Sequence, residues 1–207
     1  MPPIRFKDLT EAAGVPYAYG QDASQEETSS LSGRARDYVK KYPHLADLRV
    51  IPSNRDAYDY VNNVMLVRTR DPDVLSHEME HAESLTSSGS FYKKLLSVSQ
   101  AVVRANNTVA LPAILTLAGM VDDKEKRSTI YKVLLGISTA AAVPNLYEEA
   151  KASAKAMYTS PDKIRTMATL GPAFASHALH DLTAPGLYLS ALRLNESVSA
   201  DKKKVRK

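Results

Sequence analysis

The tripeptide Asp71-Pro72-Asp73 divides this chain into two kinds of sequence. It is a strong helix start. Asp71 can cap, Pro72 has the fixed φ of a first helical position, and Asp73 sits where the positive end of a helix favours an acid. The helix it opens is expected over 71–85, before the stop Thr86-Ser87-Ser88-Gly89. Upstream lie short β patterns: 48–51, ended by Pro52, and 64–67 (Val-Met-Leu-Val) each read as a strand, with 56–61 between them as a turn or short helix. A helix over 34–41 is stopped by Pro43. Downstream everything reads as helix: about 91–105, 108–120, 127–142, 144–159, 161–169 and 185–193, with Pro144 and Pro161 marking starts. The expected class is α+β, a small N-terminal sheet followed by a mostly α-helical half.

Residues 20–33 (GQDASQEETSSLSG) are small and polar, as in a linker or exposed loop. The expected organisation is therefore a flexible N-terminal segment, 1–33, one folded domain, 34–195, and a basic tail, 196–207. The N-terminal segment is also a candidate latch over a cleft. With 207 residues, 44% of them hydrophobic, the chain can bury a sizeable core. The net charge of +4 comes partly from Lys202 to Lys207, which reads as a solvated end. The body lacks the basic stripe with interleaved aromatics of a nucleic-acid binder, so no nucleic acid is expected. There are no cysteines, which excludes disulfides and thiolate metal sites. The first residues lack the apolar run of a signal peptide, and an intracellular or membrane-associated chain is expected. Two apolar runs, 108–121 and 133–143, fall short of the roughly 18 residues that span a bilayer. They read as core helices, with a membrane-inserted or membrane-lying hairpin as the alternative.

The chemistry-bearing pattern is His77-Glu78-Met79-Glu80-His81. Four residues is slightly more than one helical turn, so both imidazoles project from one face and can share a metal ion. Zinc suits imidazole and carboxylate ligands better than magnesium does. Glu78 lies beside His77, where a carboxylate can take a proton from an attacking water and return it to a leaving amine. A catalytic zinc site needs a third protein ligand. Glu148, Glu149, His177 and His180 are candidates. Glu149 and Ser153 lie one turn apart, which would let Ser153 hold the free nitrogen of a ligand histidine. His44, after a proline in a polar stretch, is expected at the surface. Tyr147, Tyr158 and His177 are candidates to stabilise an oxyanion.

The pairing of HEMEHA at 77–82 with Glu149-Ala-Lys-Ala-Ser153 resembles the gluzincin pattern of HExxH plus ExxA[DS], and is similar to that of the small neutral zinc metallopeptidases and the membrane gluzincins. The resemblance covers about 47–160. It departs from the pattern at Glu80, where glycine is usual. It implies a minimal zincin-like fold and one zinc ion held by His77, His81 and Glu149, with Glu78 as catalytic base. It further implies a peptide or protein substrate, bound by strand addition along the edge of the strand at 64–67. Membrane association is also implied. The alternative is a non-catalytic protein stabilised by zinc, part of a larger assembly or a membrane surface.

Overall fold

A computed structural model describes residues 3–68, 70–108 and 110–204. Its order is β1 (Ile4–Arg5), a 3-10 turn (Phe6–Thr10), α1 (Gly14–Tyr19), α2 (Gln25–Lys41), a second 3-10 turn (Pro43–Leu45), β2 (Arg49–Pro52), β3 (Ala57–Asp59), β4 (Val64–Val67), α3 (Pro72–Ser87), α4 (Ser90–Asn106), α5 (Ala110–Gly119), α6 (Lys124–Thr159) and α7 (Lys163–Lys204). This is an α+β chain with a small four-stranded sheet near its N-terminus and a mostly helical remainder. It divides into two compact units. Unit 1 comprises Met1–Lys93 and Glu148–Phe174, and unit 2 comprises Lys94–Tyr147 and Ala175–Lys207.

In unit 1 the strand order is β1-β2-β4-β3. β2 and β4 are parallel, from Arg49↔Val64 to Pro52↔Val67, while β1 and β3 run antiparallel to their neighbours. β4 therefore lies inside the sheet, which corrects the expectation of a free edge at 64–67. The edge on that side is β3, formed by residues expected as a turn or short helix. Three residues with one aromatic carry too little alternation to read as a strand.

The N-terminal segment is also corrected. Phe6, Leu9 and Val15 are completely or almost completely buried and pack with Leu31, Ala35, Val50, Met65 and Met79 in one core. β1 extends the sheet. Gly14 sits where a Cβ would fall 2.1 Å from the Asp8 carbonyl oxygen, so only glycine allows this close approach. The linker expected over 20–33 is largely helix. Ser24 accepts from the Glu27 amide, and the Glu27 carboxylate accepts from the Ser24 amide in return, a complete capping box. This signal, Ser-x-x-Glu, lies within the polar run that masked it. A segment so built into the core has no latch character.

Unit 2 packs Leu111, Ala118, Tyr131, Ala184, Tyr188 and Leu192 together. The two helices expected on either side of Pro144 are one, α6, with Pro144 inside it. Likewise α7 joins the helices expected at 161–169 and 185–193 and runs on to Lys204, so the tail expected from 196 begins as helix. Its last residues, 205–207, lie outside the described residues, as do the side chains from 198.

Candidate metal centre

The site is built on α3. Asp71 caps it, accepting from the Asp73 amide, and Pro72 is its first residue. Three stripes of this helix face three different partners, and hardly any of it is left to solvent. Leu75, Met79 and Ala82 belong to the core of unit 1. Asp73, Ser76 and Glu80 form a second, polar stripe. Asp73 accepts from Thr166 Oγ1 at 2.9 Å and pairs with Arg34 and Arg165. Glu80, fully buried, accepts from the Tyr38 hydroxyl at 3.0 Å and lies 3.7 Å from the ammoniums of both Lys41 and Lys155. The third stripe is His77 and His81, facing α6.

α6 is fastened to α3 just beyond this histidine pair. Lys151 donates to Ser84 Oγ at 2.6 Å and Lys155 to Glu83 at 2.7 Å. Just before these contacts on α6, Glu149 meets the imidazoles. The two Nε2 atoms are 3.1 Å apart, and Glu149 Oε2 lies 3.4 Å from that of His77 and 3.6 Å from that of His81. This is the one group of three metal-binding side chains among the described residues. The fit to zinc can be tested on these distances. Tetrahedral ligands at about 2.0–2.1 Å from zinc are about 3.3 Å from one another, which is what the three edges approach. A point equidistant from the three atoms lies about 2 Å from each, a Zn–N or Zn–O bond length. The donor set fits the ion.

Behind the triangle, one rear imidazole nitrogen is within hydrogen-bond distance of a partner and the other faces a carboxylate. Ser153 Oγ lies 3.3 Å from His77 Nδ1. Glu148 Oε1 stands 4.0 Å from His81 Nδ1, and its other oxygen accepts from the Tyr92 hydroxyl at 2.9 Å. Oε1 itself is buried with no hydrogen-bond donor. Glu148, weighed as a ligand from the sequence, thus stands behind His81. A helical step of about 100° turns it away from Glu149 and towards the far side of His81. Tyr92 carries no sequence signal for its part. His177 and His180 are outside the triad, on the stretch of α7 in unit 2, where His180 Nδ1 lies 3.0 Å from Asp181. Tyr147 and Tyr158 are exposed, with Lys163 over the Tyr158 ring. His44 is exposed as expected.

Burial pushes the Glu78 carboxyl above the ordinary carboxylate range, against the pull of His81 and His77. Burial draws the His81 imidazole down, but the hydrogen bond and charge of Glu149, with Glu78 and Glu148 nearby, outweigh it and leave His81 raised. A divalent cation among these donors acts in the opposite sense and favours the unprotonated ligands. No family model, curated protein or solved structure matches the chain.

Proposed function

We propose that this protein is a zinc-dependent peptidase of gluzincin type, with His77, His81 and Glu149 as metal ligands and Glu78 as general base. The observation that carries the reading is the near-equilateral triangle of donor atoms, drawn from two helices fastened together beside it. Zinc bound there supplies a Lewis acid that polarises a peptide carbonyl and makes water a better nucleophile at neutral pH. The chain's own residues do the rest. Glu78 follows His77 on the same buried helix and takes a proton from water, then returns it to the departing amine. Ser153 and Glu148 orient the two imidazoles from behind. Among the described residues β3 pairs with β4 alone, so its other edge offers backbone donors and acceptors to an extended peptide.

A second reading rests on the same contacts. Three ligands from α3 and α6 would also staple these helices in a protein that cuts nothing. Glu78 separates the two. We expect one zinc per purified chain by elemental analysis, lost in His77→Ala. Glu78→Gln should keep the zinc and lose cleavage of unfolded protein by about 100-fold or more. Zinc in a wild type that leaves unfolded proteins and a peptide library uncut would favour the staple. A chain without zinc would sink both.

A further inference from the structure

The helices of unit 2 leave many large apolar side chains uncovered. Leu117, Met120, Val133, Ile137, Leu179 and Leu187 are all exposed. Around the core of Leu111, Tyr131, Tyr188 and Leu192 it also buries small and polar residues, among them Ser99, Ser138, Asn145, Asp181, Ala142 and Ala184. In water this arrangement leaves apolar surface unburied. In lipid it is the favoured one, because acyl chains solvate Leu and Ile while small residues let helices approach and polar ones bond to each other.

Charge follows the same plan. Three stretches of unit 2 lack any Asp, Glu, Lys or Arg: 105–121, 133–147 and 182–192. The exposed side of α6 from Val133 to Tyr147 consists of Val133, Gly136, Ile137, Thr139, Ala140, Val143 and Tyr147. The same face of a helix in water would be charged. On α7 the nearest charge, Asp181, is buried beside His180. Apart from Lys94, Arg104 and Asp181, the charges of unit 2 fall in 122–132 and 193–207, and Asn195 donating to the Lys124 carbonyl at 3.2 Å puts the start of the second range beside the first. Unit 2 holds twelve Lys or Arg and six Asp or Glu, a surplus of six positive charges, whereas unit 1 holds fifteen and seventeen.

We propose that unit 2 seats in an anionic lipid bilayer, its charge-free helix faces against acyl chains and its basic surplus against headgroup phosphates. Insertion does not require a crossing helix. The 15-residue band of α6 is about 22 Å long, against a hydrocarbon core of about 30 Å. Among the described residues no single helix is long and apolar enough to cross, and the α4–α5 pair that would qualify together is bent by 65°. The proposal is independent of the peptidase reading.

The test uses the full chain, whose lack of cysteine allows clean single-cysteine labelling. An environment-sensitive fluorophore is placed at Ile137→Cys, Leu187→Cys or, as control, Val61→Cys. Val61 is apolar and 74% exposed but lies in unit 1. With vesicles of phosphatidylcholine and phosphatidylglycerol, the protein should float. The probes at 137 and 187 should shift to the blue and be quenched by lipids carrying spin labels on their acyl chains, and the probe at 61 should do neither. The double variant Ile137→Lys with Leu187→Lys should lose flotation. Unshifted probes on vesicles would overturn the proposal. So would shifts that appear without lipid as protein concentration rises, which would mean that a second copy covers this face. Zinc content and proteolysis, read on the same samples, report separately on the metal centre.

Discussion

Glu148 and Glu149 are neighbours with the same side chain and opposite stations at the site. Glu149 Oε2 completes the donor triangle, and Glu148 Oε1 faces the back of His81. Glu149→Gln should therefore abolish stoichiometric zinc. Glu148→Gln should keep one zinc but weaken it by about 10- to 100-fold, the usual effect of losing a partner of a ligand. Elemental analysis and competition with a chelating dye distinguish the two. Glu80 makes a different point. At this position the family pattern has glycine, and a glutamate there gave no hint of a use. The structure buries it fully and supplies a hydroxyl and two ammoniums from α2 and α6. Tyr38→Phe removes the one donor close enough to hydrogen-bond it, and we expect a loss of about 1–3 kcal/mol on chemical denaturation, with zinc stoichiometry unchanged. His77 and His81 were legible because their spacing follows directly from helix geometry, whereas Glu149 was singled out by the resemblance at 149–153, whose one-turn spacing also placed Ser153 near a histidine nitrogen. Tyr92 and Tyr38 were not legible, because they come from elements remote in sequence whose approach no local pattern encodes.

At the level of elements, α3 and β4 could be read closely, since Asp71-Pro72 fixes a start and Val64 to Val67 is continuously β-branched or apolar. The N-terminal elements escaped because each is short and their apolar anchors, Phe6, Leu9 and Val15, follow no single period. Their burial is nonetheless complete, so Phe6→Ala should cost about 3–5 kcal/mol, and removal of residues 1–30 should unfold unit 1 rather than raise its activity. Proteolysis of the unfolded fraction reads both. The edge strand β3 is held by the turn after it, where Asp59 accepts from the Asn62 side chain at 2.7 Å and from the amides of Val61 and Asn62. The Asn62 side chain first, then the two amides, keep the Asp59 carboxyl below its ordinary 3.8. A carboxyl lowered on folding contributes its stabilisation fully above its unfolded value and loses it as pH falls through the lower folded one. Amide exchange at 60–64 should therefore accelerate below about pH 4 in excess of its intrinsic trend. In Asp59→Asn, which cannot titrate, that acid dependence should vanish.

For the whole molecule, what the sequence hid most was continuity. Pro144 reads as a helix start, yet α6 passes through it. The proline removes one N–H and leaves the Ala140 carbonyl without its intrahelical donor. The consequence is that α6 and α7 each contribute residues to both compact units, whereas the proposed ligands come from unit 1 alone. Zinc should therefore act locally. A ligand that binds only the folded site stabilises it by about 2.7 kcal/mol at a concentration 100 times its dissociation constant. Hydrogen exchange with and without chelator tests where this falls. On chelation, protection should drop by about 100-fold across α3 and across 148–156 of α6, because these segments carry the ligands. It should change little in α5 and in 182–192 of α7, whose packing around Tyr131 and Tyr188 includes no ligand. If protection fell evenly through both units, the shared helices would have to transmit the loss of three ligand bonds along their length, and the division of labour argued from the contacts of each unit would be wrong.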